Sequence, residues 1–339
     1  MAQNTVVAIT ASTTVITNGA LAIGTAERQV RVVDRRDETD SIVSLTLRPV
    51  SGGMLPAWTP GSHVAIVIDP ETVRHYSLCQ WPGQRDAYRI AVLREPEGSG
   101  GSAYLTNEVA VGDVLSIREA ANHFVLTSAE RYVFVAGGIG ITAILPMILE
   151  AESTARKWSL VYYGASRERM AFVDELEVFG DRVTIIARDE QPKSRIDAAL
   201  SDVAAGTLVY VCGPDRLLAG ARSALATLGL ESQLRFELFE APAAETDASD
   251  NGSFEVRLQR SDLVLSVSPD QSILDVLREA GVDVLTDCEE GICGSCETRI
   301  VSGEAEHRDF VLTEQEKSDQ SCLMVCVSRS ASPVLTLAL

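Results

Sequence analysis

Four cysteines stand at spacings that suit redox chemistry. Cys288, Cys293 and Cys296 follow a C-x4-C-x2-C pattern, and Cys326 comes after 29 intervening residues. Thiolates are soft ligands for iron–sulfur centres. This spacing is one that holds a [2Fe-2S] cluster. Gly291 and Gly294 let the loop wrap closely and aim backbone N–H groups at the sulfurs. The plainer alternatives are a structural zinc site, a disulfide set or merely buried thiols. Zinc knuckles use shorter spacings than Cys288 to Cys293, and seven cysteines without a secretory leader do not read as a disulfide framework. Cys322, four residues before Cys326, is the rival fourth ligand.

Other stretches could bind phosphate. Arg74-His75-Tyr76-Ser77-Leu78 lies on a strand-like run, and Gly98-Ser99-Gly100-Gly101-Ser102 leads into a helical stretch at 103–109. A guanidinium, a glycine loop and a helix N-terminus can together hold a phosphate. Gly137-Gly138-Ile139-Gly140-Ile141-Thr142 follows an apolar run at 132–136 and opens an apolar-periodic helix. Strand, glycine turn and helix place a pyrophosphate on a helix N-terminus. Cys212-Gly213-Pro214 closes another strand-like run at 208–212. A ligand at the carboxyl ends of parallel strands would meet Cys212 there, although a buried small thiol is the commoner reading. His63, His75, His123 and His307 are scattered along the chain. None reads as a catalytic base, and no acid–base triad is visible.

The elements that must position these groups fall into three classes. Residues 28–125 show short alternating runs with frequent turns, which predicts an antiparallel barrel. Residues 126–240 alternate buried strands with helices near 170–179 and 215–228, which predicts a doubly wound parallel sheet. Residues 241–252 are small, acidic and aperiodic and read as a linker. Residues 253–339 hold a predicted hairpin (254–258 with 264–267), a helix over 273–280 with Ser272 as N-cap, Asp275 at N3 and Gly281 as its stop, and short β-runs near Cys326 and Leu335. Residues 1–27 read as an extension, with a strand near 6–9.

Composition limits the partners. The net charge is −19, and residues 253–339 carry 16 Asp and Glu against 7 Lys and Arg. That balance argues against nucleic acid or an anionic membrane as partner and suits docking on a basic protein patch. No apolar run reaches the ~18 residues that span a bilayer. Residues 1–26 hold no Lys or Arg and so lack a signal peptide's positive start. A cytoplasmic location is expected.

The whole order resembles the phthalate dioxygenase reductase family, the reductases of Rieske-type oxygenases. The resemblance covers roughly residues 28–339 and rests on the cysteine loop with His307-Arg308-Asp309, on Arg74-x-Tyr76-Ser77-Leu78, on Gly137 to Thr142, on Cys212-Gly213-Pro214 and on Phe236-Glu237-Leu238-Phe239. It implies a flavin barrel, a pyridine-nucleotide α/β domain and a C-terminal plant-type ferredoxin of β-grasp type. Arg74 with Gly100, Gly101 and Ser102 would hold the phosphate of FMN. Tyr76, Ser77 and Leu78 would border the flavin ring, with Ser77 near N5. Gly138, Gly140 and Thr142 would take the phosphates of NADH, Cys212 and Gly213 would sit by its nicotinamide, and Phe239 would pack on the flavin. Cys288, Cys293, Cys296 and Cys326 would hold the cluster. The implied activity is electron transfer from NADH through FMN and the cluster to a Rieske-type oxygenase, by a monomer. Ser166-Arg167 leaves NADPH open as donor. A cytochrome P450 as acceptor and a redox-sensing module are the rival functions. Two positions depart from the family pattern. Ser99 stands where an Arg is usual, and Ala143 replaces a Pro that appears instead at Pro146, where its missing N–H is expected to cost little.

Overall fold

The computed structural model describes residues 27–69, 72–95, 100–118, 120–192, 195–241 and 251–339. The expectations for residues 1–26, for Gly98 and Ser99, and for linker residues 242–250 lie outside the described residues.

The first sheet is antiparallel. It comprises β1 (Arg28–Thr39), β2 (Ile42–Pro49), β3 (Ser62–Asp69), β4 (Thr72–Ser77), β5 (Tyr88–Leu93), β6 (Val114–Ile117) and β7 (Ala121–Asn122), with α1 (Gly101–Asn107) between β5 and β6. The order β4-β3-β6-β1-β2-β5 is closed into a barrel by a bridge between Leu78 and Ile90. The alternation read from the sequence fills this barrel. Val43, Leu45 and Leu47 of β2 point inward to meet Val64 and Ile66 of β3, and Leu105 of α1 joins them. Each such fully buried aliphatic side chain stabilises the fold by roughly 1.5–3 kcal/mol.

The second sheet is wholly parallel: β8 (Arg131–Gly137), β9 (Lys157–Gly164), β10 (Val183–Ala187), β11 (Thr207–Cys212) and β12 (Leu234–Glu237), in the order β10-β9-β8-β11-β12. Helices α2 (Ile141–Ser153), α3 (Val173–Glu177), α4 (Ile196–Leu200) and α5 (Asp215–Leu228) connect the strands. Both faces are covered. Phe134 and Ala136 of β8 pack with Ile144, Leu145 and Ile148 of α2, while Val133 and Val135 pack on the opposite side with Leu217, Ala221 and Leu225 of α5. A strand buried on both faces reads as a continuous apolar run, as 132–136 does.

Two details differ from the sequence reading. The helix expected over 170–179 is only Val173–Glu177. Met170, Ala171 and Phe172 are instead drawn into the core, with Phe172 in a left-handed conformation at φ 61°. Pro146 lies inside α2, beyond its first turn. Its missing N–H therefore removes a helical bond to the Thr142 carbonyl, which costs more than a first-turn proline does.

The third sheet contains β13 (Phe254–Leu258), β14 (Leu263–Val267), β15 (Glu297–Ser302), β17 (Cys322–Met324) and β19 (Val334–Leu337). The short strands β16 (Ala305–Glu306) and β18 (Arg329–Ser330) pair with each other. Helix α6 (Ile273–Glu279) packs its Ile273, Leu274 and Leu277 on the sheet, and α7 (Glu314–Asp319) is peripheral. The parallel pairing of β13 with β19 and the antiparallel flanks give a β-grasp. Ser272 and Asp275 form a reciprocal capping box on α6, and Gly281 follows it at φ 71°. Cys326 is not on a strand. β17 ends at Met324, and the turn that follows swings the Cys326 thiol toward the cysteine loop. Among the described residues, no helix is long and apolar enough to cross a membrane.

Candidate functional site

The four cysteines meet in two pairs. Cys296 Sγ lies 3.2 Å from Cys326 Sγ, and the thiols of Cys288 and Cys293 hydrogen-bond each other. All seven cysteines are free. The loop already favours thiolate at Cys288, whose pKa is pushed down to about 6 by the Cys293 thiol and by the amides of Glu290, Ile292 and Cys293. Glu290 N donates to Cys288 Sγ at 3.4 Å, and Ser295 N donates to Cys293 Sγ at 3.5 Å. Gly291 needs to be glycine on two counts. Its φ is +73°, and a Cβ there would stand 2.6 Å from Val327 Cγ2. Buried Asp309 braces the loop by accepting from the amides of Val311 and Leu312 at 3.2 and 2.8 Å, while Phe310 N donates to Gly291 O. Two thiol pairs with converging amides fit a two-iron cluster, one pair for each iron. Cys322 stands apart on β17, beside Glu297.

A cleft of about 2600 Å³ runs between the barrel, the parallel sheet and the cysteine loop. A usual small-molecule site occupies about 300–1,000 Å³, so this space has room for more than one ligand. The barrel wall contributes Arg74, Tyr76 and Ser77 of β4 with Gly101 and Ser102 of α1. Gly101 packs on Arg74, where a Cβ would come 3.0 Å from Arg74 Cγ, and Gly100 has φ +90° with open space beside it. Burial pushes the Tyr76 phenol up to about 12. The opposite wall contributes Gly138, Gly140, Thr142 and Gly213. The Tyr162 hydroxyl donates to Gly138 O at 3.1 Å and steadies that turn. Phe239 stands at the lip of the cleft, 39% exposed as a residue. Leu78 points into the barrel core, and Cys212 is buried beneath Gly213, its thiol pushed up chiefly by burial. The mixture of a guanidinium, glycine turns and an uncovered aromatic ring fits a ring-bearing phosphate ligand.

Sequence reading missed three groups. Glu237 of β12 pairs with Cys212 and lines the cleft. Its Oε2 is buried without a partner, and burial, followed by the nearby Asp287 and Cys293, pushes its carboxyl up to about 8. Arg89 of β5 joins barrel to parallel sheet. It donates to Glu38 at 2.9 Å and to Glu175 of α3 at 2.8 Å, with its guanidinium 4.6 Å from the Phe172 ring centre. The third group consists of three of the four histidines, which are not scattered in space. His63 and His123 place Nε2 at 2.7 and 3.1 Å from Asp287 Oδ2, and His75 Nε2 lies 2.9 Å from Oδ1. Burial works to raise the Asp287 pKa, but the three imidazoles outweigh it and hold the carboxyl well below the usual range.

Residues 256–331 match the family described as the 2Fe-2S iron-sulfur cluster binding domain. The vanillate O-demethylase oxidoreductase of Pseudomonas sp. (strain HR199 / DSM 7063) is 38% identical over 304 residues, covering 88% of this chain and 95% of that protein. A solved phthalate dioxygenase reductase, described as a modular structure for electron transfer from pyridine nucleotides to [2Fe-2S], is 34% identical, with a TM-score of 0.65 over 95% of this chain and 98% of that one. The chain belongs to the phthalate dioxygenase reductase family. Members of this family are oxidoreductases, and relatives of the chain include reductase subunits of oxygenase systems. The match to the solved phthalate dioxygenase reductase takes in the sheets described above. A solved type IV self-sufficient cytochrome P450 monooxygenase is also similar, at 39% identity and a TM-score of 0.82 over 92% of this chain. This chain spans about two fifths (41%) of that longer protein.

Proposed function

We propose that the protein is an NADH-dependent reductase that carries electrons, by way of FMN and a [2Fe-2S] cluster, to a Rieske-type oxygenase. One observation carries this reading: Arg74 and Tyr76, the Gly138–Gly140 turn, and Cys288 and Cys293 all border one cleft. A flavin between a hydride donor and a cluster converts one two-electron transfer into single-electron transfers. The chain's own part is to bind and orient. Arg74, Gly100, Gly101 and Ser102 hold the FMN phosphate, while Tyr76, Ser77 and Phe239 flank its ring. Gly138, Gly140 and Thr142 seat the nucleotide, and Gly213 lets it approach the buried edge near Cys212. Glu237 offers a carboxyl that holds a proton near neutral pH. The cysteine loop closes the far side. The protein acts as a monomer in the cytoplasm.

Anaerobic NADH addition to the holoprotein tests this. Flavin bleaching followed by a reduced-cluster signal in electron paramagnetic resonance is expected, and bleaching without that signal would reduce the protein to a plain flavin reductase. The same titration with NADPH is expected to be the slower, and a strong NADPH preference would reverse the choice of donor in favour of Ser166-Arg167. Arg74→Ala is expected to weaken FMN retention about 10- to 100-fold, as befits the loss of a charge-assisted hydrogen bond of ~1.5–3 kcal/mol. Equilibrium dialysis reads this directly, and unchanged retention would remove Arg74 from the phosphate site. The likeness to a cytochrome P450 monooxygenase supports a second reading, with a P450 as acceptor. Reduction of purified oxygenase and P450 candidates in parallel separates the two.

A further inference from the structure

His63, His75 and His123 come from three separate parts of the barrel. His63 is on β3, His75 is on β4, and His123 follows β7. The strand register puts Ala65 opposite His75 and Ala121 opposite His63, so neighbouring strands bring the imidazoles to one patch. The ring centres lie 5.2 and 5.4 Å apart. The carboxylate they surround comes from the ferredoxin domain, 224 residues beyond His63. The Asp287 side chain is only 2% exposed, although it is a carboxyl group and lies at a junction between domains. Burying a carboxylate is costly unless hydrogen bonds satisfy it. His63 and His123 hydrogen-bond one carboxylate oxygen, Oδ2, at 2.7 and 3.1 Å, and His75 stands 2.9 Å from the other, so the group is held from three sides.

Asp287 is the residue directly before Cys288. Holding its carboxylate therefore holds the start of the cluster loop against the barrel, on strands that continue into Arg74, Tyr76 and Ser77. We propose that Asp287, gripped by His63, His75 and His123, is the positioning device that sets the cluster loop against the flavin barrel. This rests on the functional reading above and adds residues that it does not use. The contact is specific to orientation. Without it, the two domains would no longer be held at one fixed separation, and electron transfer between them slows as that separation grows.

The test uses the full-length holoprotein and compares Asp287→Ala, His63→Ala and the double variant with the wild type. Ferricyanide serves as a small oxidant that reaches the flavin, and cytochrome c as an acceptor at the cluster. Ferricyanide reduction is expected to stay within about twofold, and cytochrome c reduction to fall about 10- to 100-fold. The double variant is expected to lose no more than Asp287→Ala alone, because the two residues act through each other. Hydrogen exchange is expected to quicken in peptides covering 59–66 and 284–296, with the cluster absorbance unchanged. His63→Ala, remote from the cysteines in sequence, keeps the test sound if Asp287→Ala fails to hold its cluster.

Unchanged cytochrome c reduction with unchanged exchange would overturn the proposal. So would additive losses, or equal losses with both acceptors. A stoichiometric metal beyond the two irons that disappears in Asp287→Ala would overturn it in favour of a metal site. The exchange arm needs no redox chemistry. A wild type that took no electrons from NADH would therefore sink the functional reading, while exchange would still decide the fate of the lock.

Discussion

Cys326→Ser is expected to abolish the [2Fe-2S] absorbance and its reduced-state signal while leaving NADH-driven bleaching of the flavin intact. The Cys296–Cys326 pair, 3.2 Å apart, supplies one of the two thiol pairs, and serine in place of one member leaves one iron short of a soft ligand. The barrel and parallel sheet share no core with Cys326, which packs only within the third cluster of apolar residues. Cys322→Ser is the matched control. Cys322 is half-buried on β17 against Glu297, so its replacement should alter cluster content by less than about twofold. Iron and sulfide analysis of the two variants side by side decides the assignment. A cluster retained in Cys326→Ser and lost in Cys322→Ser would overturn it.

Gly140→Ala is expected to cost about 1–3 kcal/mol of stability, as forced overpacking does. It is also expected to lower the rate of flavin reduction by NADH about 100-fold, because the turn that seats the nucleotide must shift. The reason is steric. Gly140 has an ordinary φ of −58°, but a Cβ there would stand 2.4 Å from the Cys212 carbonyl oxygen and 2.9 Å from Gly213 N. Backbone cannot swing aside as a side-chain tip can. Its neighbour Gly138 presents the reverse case, with φ +54° and nothing within 4 Å of a Cβ. Gly138→Ala should therefore cost only the left-handed penalty of roughly 1–2 kcal/mol. Dithionite should reduce flavin and cluster normally in both variants, since neither substitution touches the barrel or the cysteine loop. Thermal unfolding and stopped-flow with NADH measure the two effects. Equal rates of flavin reduction by NADH in the two variants would remove the argument from contact.

Patterns of short range carried most of the fold. Val43, Leu45 and Leu47 alternate because only one face of a barrel strand is dry, and residues 132–136 are all apolar because β8 is buried on both faces. The cap at Ser272 was visible because its partner Asp275 lies three residues away. The features that sequence reading lost depend on contacts of long range. Asp287 and His123 are separated by 164 residues, and nothing in either neighbourhood announces the other. Met170 and Phe172 fit a helical stripe, yet the space beneath β9 takes them and delays α3 to Val173. The β-run expected near Cys326 is β17, but the turn after it, which aims the Cys326 thiol, shows only in three dimensions. Glu237 sits within the Phe236-Glu237-Leu238-Phe239 motif, in which only Phe239 has an expected role, and only burial of its carboxyl sets it apart.

The link between β12 and β13 has a kinetic consequence. Ala241 and Asn251 are joined by only nine intervening residues, so the ferredoxin domain stays within reach of the barrel even when it lets go. A tether that short gives an effective concentration of about millimolar order. An intrinsic affinity near 1 mM, about −4 kcal/mol, then keeps such a joint closed about half the time. Cutting the chain in that segment would turn a unimolecular encounter into a bimolecular one, with a rate that depends on dilution.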